Sequence, residues 1–344
     1  MARVAIALHH LDLLGQFVGI IKSLRKAGHR VAVFNHTIMS NFQEFIPVRC
    51  EWMKGDLSEL KKFEPDIVLV WNGRYSFLKE PVSRVAKEFP GKIRVVEFGW
   101  FPQRGNLTIA EDICHLSCMR TKMYEISKNL ASGDSIGIVG KARAQYPEPQ
   151  TDSTLPEKYI FIPFQLEFDT QITECSPHVK TMNQLVTLVR GLVGDYPLVY
   201  TQHPKCSTEG SGPVKIDDKD AIEYKGPLNS LDLARGAQCV CGINSTLLSE
   251  SLLFLVPVIS FGTYNNESLC YRYRPENIIT GFGKELSVRG PELVERVRQE
   301  FGRNSMFIAN GVAHAISWQF SKDEVPDWVA DAVFHPEGAA SRLL

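Results

Sequence analysis

The sequence predicts an α/β fold: two Rossmann-like domains facing a cleft. Three observations predict it. Short apolar runs alternate with segments of helical period along most of the chain, and strands separated by helices imply a parallel sheet covered on both faces. The 344 residues make about two domains at roughly 150 residues each. From Lys141 to Lys158 the sequence turns polar and proline-bearing, with Pro147, Pro149 and Pro156, as a connection between domains does. The division is therefore drawn as 1–150 for an N-terminal domain, 151–325 for a C-terminal domain and 326–344 for a tail.

The first half opens as strand, helix, strand. Val4 to Leu8 is apolar, Leu13, Leu14, Phe17, Ile20, Ile21 and Leu24 recur at helical spacing, and Arg30 to Phe34 is apolar again. Asp66 to Trp71 and Ile93 to Glu97 are the next strands. The second half repeats the alternation: Tyr159 to Phe164, a helix carrying Val179, Met182, Leu185, Val186, Val189 and Val193, then Leu198 to Thr201. Ala221 to Tyr224, Gln238 to Ile243 and Val256 to Phe261 follow as strands, with a helix carrying Leu247, Leu248, Leu252 and Leu253 between the last two. Leu293, Val294, Val297 and Phe301 mark a packing helix, and in the region of Trp318 and Trp328 one helix is expected to cross back onto the first domain.

Composition excludes several classes. Hydrophobic residues are 44% and charged residues 22%, which excludes wholesale disorder and fibrous repeats. Lys plus Arg at 38 against Asp plus Glu at 39 gives a net charge of −1, so no global positive field draws the protein to nucleic acid. No stretch reaches the roughly 18 uninterrupted apolar residues that a membrane span needs, and the N-terminus is too briefly apolar for a signal peptide. A cytoplasmic protein is the expectation. Eight scattered cysteines, Cys239 and Cys241 inside an apolar run, suit reduced core thiols. Cys114, His115 and Cys118 lack the second ligand cluster of a zinc site.

In open parallel sheets ligands bind beyond the carboxyl ends of strands, so the residues there deserve inspection. No G-x-G-x-x-G follows the first strand and no G-x-x-x-x-G-K-[ST] occurs, which lowers NAD enzymes and P-loop ATPases. Four clusters remain. Glu97-Phe98-Gly99-Trp100-Phe101-Pro102 delivers a carboxylate into a glycine turn beside aromatics, where a low dielectric would raise its pKa and suit proton exchange with a hydroxyl; the plainer role is a turn cap. Gln165-Leu166-Glu167-Phe168-Asp169 opens the second half, with Asp169 a nucleophile, a base or a helix cap. Gln202-His203-Pro204-Lys205 offers an imidazole that can hold a phosphate oxygen or is an ordinary turn residue. Gly242-Ile243-Asn244-Ser245-Thr246 enters a helix whose unpaired N–H groups and dipole favour an anion, while Ser or Thr is equally a normal N-cap. His9 and His10, at the end of the first strand, are acceptor contacts or structural residues.

The run Tyr159-Ile-Phe-Ile-Pro-Phe-Gln-Leu-Glu-Phe-Asp-Thr-Gln-Ile172 with Ser176-Pro177, then His203-Pro204, Ile243-Asn244-Ser245-Thr246 and Pro257-Val258 with Gly262, resembles the capsule polysaccharide biosynthesis family of bacterial Kdo transferases. Upstream, Asn72-Gly73 and Glu97-Phe98-Gly99-Trp100-Phe101-Pro102 with Leu107-Thr108 resemble its first-domain motifs. The likeness extends from about residue 70 to 265. It implies a glycosyltransferase of the GT-B type that uses CMP-β-Kdo and retains β configuration, acting on a glycan or lipid-linked glycan at the inner face of the cytoplasmic membrane, with peripheral contact there. It also implies that Glu97, Asp169, His203 with Pro204, and Ser245 with Thr246 line the cleft. Two positions depart: Phe98 stands where the family often has a second acidic residue, and Thr201 where it often has lysine. Lys205 or Arg74 would then supply the missing charge.

Three functions compete. In a retaining Kdo transfer, His203, Ser245, Thr246 and the helix N-terminus neutralise the CMP leaving group, with Gln165, Asn244, Pro204 and Lys205 around it, so that no divalent metal and no other cofactor is required. Asp169 is the nucleophile and Glu97 the proton acceptor, about 5 to 5.5 Å apart by analogy with retaining glycosidases. Arg74, Arg104 and Gly99 face the sugar, an arginine meeting the Kdo carboxylate. A transferase for a UDP-linked sugar is the second reading, with Asp218-Lys219-Asp220 as a formal D-x-D in a polar, solvated loop. A non-catalytic carbohydrate-binding or assembly component is the third.

Overall fold

The computed structural model describes residues 1–8, 13–35, 50–54, 56–71, 87–102, 105–110, 132–173, 175–207, 212–263, 267–276 and 278–335. Two compact units divide the chain: Met1–Cys118 with Ser317–Leu344, and Met119–Ile316.

In the first unit the order is β1 (Arg3–Ala7), α1 (Leu14–Lys26), β2 (Arg30–Asn35), β3 (Glu51–Lys54), α2 (Leu57–Phe63), β4 (Ile67–Trp71), β5 (Ile93–Phe98) and β6 (Asn106–Ala110). The sheet runs β15-β6-β5-β4-β1-β2-β3, where β15 is Phe320–Ser321. Strands β3, β2, β1, β4 and β5 are parallel, in the doubly wound order 3-2-1-4-5. The residues of β1, β2 and β4 are nearly all buried, which is why they read as continuous apolar runs. On one face α1 sets Leu14, Phe17, Ile20, Ile21 and Leu24 against Ile6, Val33 and Leu69; on the other, Leu60 and Phe63 of α2 meet Val68, Val70 and Phe34.

The second unit begins with α3 (Ser132–Arg143), β7 (Ile160–Pro163), the short α4 (Thr170–Thr173), α5 (Met182–Val193), β8 (Leu198–Thr201), β9 (Ile222–Glu223) and α6 (Ser230–Gly236). It continues with β10 (Cys239–Gly242), α7 (Thr246–Leu253), β11 (Val258–Ser260), β12 (Tyr271–Arg274), β13 (Ile278–Gly281), β14 (Lys284–Leu286), α8 (Pro291–Arg303) and α9 (Ser305–Trp318). Its sheet runs β14-β13-β12-β11-β10-β7-β8-β9. The six strands from β9 to β12 are parallel in Rossmann order 3-2-1-4-5-6. Helix α5 starts at Thr181, whose hydroxyl oxygen accepts from the Gln184 amide, so Val179 lies ahead of the helix, although it is buried in the same core. That core joins α5 and α8 over the sheet through Leu185, Val189, Leu293 and Val297. The expected core thiols Cys239 and Cys241 are free and buried.

Four expectations change. The sheets are mixed rather than wholly parallel, because β6 is antiparallel to β5 and to β15, and β12, β13 and β14 form an antiparallel meander. The division falls at 118/119 rather than 150/151. The stretch read as a linker is tied to the second unit: Arg143 Nε donates to the Leu253 carbonyl at 2.6 Å, Tyr146 Oη to Glu250 Oε1 at 3.0 Å, and Arg235 Nη1 to the Pro147 carbonyl at 2.8 Å. The expected return to the first unit near Trp318 and Trp328 is present: β15 pairs with Leu107 and Asn106, and α10 (Trp328–Phe334) packs on α1, so the stretch read as a tail from 326 opens with a packed helix. A side chain at Gly19 of α1 would collide with Val325 and the Lys322 carbonyl, so the close approach of this segment needs glycine there.

Candidate active site

In the second sheet the strand order reverses between β7 and β10, and a sheet of this type opens a crevice for ligands beyond the carboxyl ends at such a point. Gln165 follows β7 and Asn244 follows β10. Gln165 Nε2 donates to Asn244 Oδ1 at 3.0 Å, and the Asn244 backbone N–H returns to Gln165 Oε1 at 3.2 Å. Asn244 Nδ2 also donates to the Gln171 carbonyl at 2.7 Å. This exchange fixes which end of each amide donates. The two expected binding residues are thus brought together, as a lock.

Next to the lock, Ser245 is the N-cap of α7. Its Oγ accepts from the Leu247 N–H at 3.3 Å and its carbonyl from that of Leu248 at 3.0 Å. The capping role is the one the structure shows for Ser245, and Thr246 is the first helical residue. The positive end of α7 therefore lies beside Asn244.

The loop after Gln165 is built from caps. Glu167 Oε1 accepts from the Met182 N–H at 2.7 Å, at the start of α5, and Asp169 Oδ1 accepts from Gln171 N–H at 2.8 Å, at the start of α4. The Asp169 carbonyl takes the Ile172 and Thr173 amides, both at 2.9 Å. Asp169, half-buried, thus realises the capping alternative. Beyond β8, Gln202 exchanges two hydrogen bonds with the Val214 backbone, both 2.9 Å. His203 Nδ1 accepts from the Lys205 N–H at 3.2 Å, so a neutral ring carries its proton on Nε2, as a donor. Pro204 and Lys205 are exposed. Because β10, β7 and β8 are neighbours, the segments starting at Asn244, Gln165 and Gln202 leave one edge of one sheet side by side.

Glu97 and Gly99 belong to the first unit. Glu97 is half-buried and sits within β5 opposite Thr108, one residue before the strand ends, and its Oε1 accepts from the Phe98 N–H at 3.2 Å. Gly99 N–H donates to the Asn106 carbonyl at 2.8 Å. The turn that follows is held by Gln319, a residue that no sequence motif marks. Its Oε1 accepts from the Trp100 and Phe101 amides at 3.0 and 3.1 Å, and its Nε2 donates to the Phe101 carbonyl at 2.5 Å. Each such buried backbone group would cost about 1–3 kcal/mol if unpaired. Gly99 is buried, and a Cβ on it would stand 2.7 Å from Asn106 Cβ and 2.9 Å from Gln319 Oε1. Packing thus accounts for a glycine expected to face the sugar.

The D-x-D is not a free solvated loop. Asp218 Oδ2 accepts from Arg190 Nε at 2.7 Å and its Oδ1 from the Asp220 amide at 3.0 Å. Burial raises the Asp218 pKa, but the Arg190 hydrogen bond and the Asp220 amide outweigh it, leaving the carboxyl below its ordinary value. Among the described residues no group of three or more His, Cys, Asp or Glu is placed to hold a metal, and no helix is long and apolar enough to cross a membrane. His9, His10, Asn72, Gly73, Arg74, Arg104, Cys114, His115 and Cys118 lie outside the described residues.

No protein-family model matches the chain. The chain is similar to Protein FixF of Sinorhizobium fredii (strain NBRC 101917 / NGR234), 29% identical over 266 residues, which cover 73% of this chain and 61% of that protein; it spans about three fifths of that relative. Among solved structures, Thermosulfurimonas dismutans KpsC, beta Kdo 2,7 transferase, is 17% identical with a TM-score of 0.55, covering 90% of this chain and 99% of that one. The T. dismutans KpsC beta Kdo 2,4 transferase is 13% identical with a TM-score of 0.48, covering 69% and 80%. What this likeness shows is the fold: the chain has two Rossmann-like units of the GT-B glycosyltransferase type, as the KpsC beta Kdo 2,7 transferase does.

Proposed function

We propose that the protein is a glycosyltransferase that moves Kdo from CMP-β-Kdo to a glycan or lipid-linked glycan acceptor, with retention of β configuration. The observation that carries the reading is the lock at the strand-order reversal: Gln165 and Asn244 join the ends of β7 and β10 beside the N-terminus of α7. An anionic leaving group at that place would meet the helix dipole, with the His203 segment leaving the adjacent strand. The likeness to the KpsC beta Kdo 2,7 transferase supports Kdo as the sugar.

In this mechanism α7, His203 and Lys205 neutralise the departing CMP phosphate, so the chemistry runs without a divalent metal. Asp169, held in place by its capping bond, attacks the anomeric carbon through its carboxylate; CMP leaves with the bonding pair. The acceptor hydroxyl then displaces the carboxylate and gives its proton to Glu97. Two inversions yield retention. Arg74 or Arg104 pairs with the Kdo carboxylate. A UDP-linked donor held through a metal at the D-x-D is disfavoured, because Asp218 is bound by Arg190.

The test is incubation with CMP-Kdo and a Kdo-terminated acceptor, following CMP release and product anomeric configuration. Asp169→Ala should abolish transfer and leave CMP binding intact; loss of both together contradicts the nucleophile role. Strict dependence on Mn²⁺ with a UDP-sugar would favour the second donor class, and absence of CMP release would favour a binding component.

A further inference from the structure

We propose that Gln319 is a positioning residue for the carboxylate of Glu97. The inference rests on the role given to Glu97 above and adds to it the group that sets the carboxylate's place. Every residue involved belongs to the first unit.

The turn between β5 and β6 starts one residue after the strand that carries Glu97, and three of its backbone polar groups pair outside the hairpin. Gly99 N–H reaches the Asn106 carbonyl, and Asn106 Nδ2 reaches the Pro102 carbonyl at 3.0 Å. The Trp100 N–H, the Phe101 N–H and the Phe101 carbonyl are satisfied by the two ends of a single amide, that of Gln319, more than 200 residues later in the chain. Gln319 is itself fixed on both sides. Trp318 Nε1 donates to the Ile109 carbonyl at 3.1 Å, and Phe320 pairs with Leu107 in β15. Trp100 and Phe101 are buried, so the turn cannot swing outward without exposing both rings.

Gly99 completes the device. Any side chain at this position would occupy the space into which Gln319 Oε1 reaches. The spacing of Glu97 and Gly99 therefore has a mechanical reason: the glycine admits the amide, and the amide holds the turn three and four residues past the carboxylate. Leucine at 319 keeps the size of the side chain and removes all three hydrogen bonds. Glutamate keeps the acceptor for the Trp100 and Phe101 amides and removes the donor.

The experiment compares wild type, Q319L, Q319E and E97Q as full chains, with steady-state transfer from CMP-Kdo, CMP affinity by calorimetry, and amide hydrogen exchange at Trp100 and Phe101. A displacement of about 1 Å at a reacting group can cost about 100-fold in rate. Q319L should therefore lower kcat by about 10- to 100-fold while CMP affinity and acceptor KM stay near wild type, and should speed exchange at the two amides. Q319E should recover part of both effects, and the alkaline pH profile of residual Q319L activity should shift relative to wild type. Loss of activity in E97Q with unchanged kcat in Q319L overturns the positioning role alone. Full activity in E97Q overturns the assignment of Glu97 and with it the reason for positioning. If Q319L does not fold, Q319E decides: wild-type kcat together with faster exchange at Phe101 overturns the proposal.

Discussion

Gln165 and Asn244, 79 residues apart in the chain, each accept an N–H of the other on the side-chain oxygen, across the point where the second sheet reverses its strand order. Neither bond belongs to a helix or a strand ladder. Together they tie the ends of two neighbouring strands, and the Asn244 bond to the Gln171 carbonyl extends the tie to the loop carrying Asp169.

Breaking this lock should be costly and cooperative. Asn244→Ala leaves the Gln165 amide and the Gln171 carbonyl without that partner, and we expect a loss of about 1–3 kcal/mol in urea unfolding, with weaker CMP binding. Gln165→Ala added to it should cost less than the sum, with a coupling of at least about 0.5 kcal/mol. Strict additivity in the four-member cycle would show that the two amides act independently.

Glu250 gives the second unit a pH dependence whose sign can be worked out. Burial raises its pKa from 4.5 to about 6, and the Tyr146 hydroxyl, by donating to it, pulls partly the other way. The folded state then holds the proton more tightly than the unfolded chain. The stability due to this proton is fully present below pH 4.5 and is lost as pH rises through about 6, an amount of about 2 kcal/mol. Glutamine at 250 keeps an acceptor for Tyr146 and never ionises. E250Q should therefore exceed wild type in stability at pH 7.5 and lose that advantage by pH 4.5, read by urea unfolding at both values.

Gly99→Ala tests whether the glycine of the E-x-G turn serves packing. The added methyl meets Asn106 Cβ, which the hairpin holds in place, as well as the amide of Gln319. Overpacking of this kind costs about 1–3 kcal/mol, so thermal unfolding should fall and transfer with it. A variant as stable as wild type but unable to transfer would return Gly99 to direct contact with substrate.

Asp218→Asn separates a metal site from a structural one. Asp218 and Arg190 are largely shielded from solvent, at 13% and 24% side-chain exposure, and removing one charge of such a pair should lower stability by about 1–3 kcal/mol. Transfer by the folded variant should stay within about twofold of wild type and survive EDTA. Loss of activity restored by excess Mn²⁺ would mean that the D-x-D binds metal after all.

The parallel strands were legible because a strand buried on both faces has to be apolar at successive positions, and Val4 to Ala7, Ile67 to Trp71 and Cys239 to Gly242 are. The antiparallel edges were not. Tyr271–Arg274 alternates aromatic and arginine, and β14 and β15 span only three and two residues, too few to show a period. The Lys141 to Lys158 stretch misled because its anchors, Arg143 and Tyr146, look like ordinary polar residues until Leu253 and Glu250 come within reach. Of the site, the strand-end segments could be located in advance, since topology puts ligands there. Their partners could not: Gln165 with Asn244, Asp218 with Arg190, and Gln319 with the Trp100 turn depend on long-range pairing that leaves no local pattern.

The first unit is written in two pieces, with the 198 residues from Met119 to Ile316 between them. On a ribosome adding about 5–20 residues per second, roughly 10–40 s pass between emergence of the two pieces. During that interval β6 is an open edge, the kind of surface on which neighbouring chains can pair and aggregate, and the Trp100 turn waits for Gln319. The intervening unit is contiguous and can close its sheet first. The later-made piece therefore acts as a clasp, finishing a unit whose earlier piece is synthesised 198 residues ahead of it.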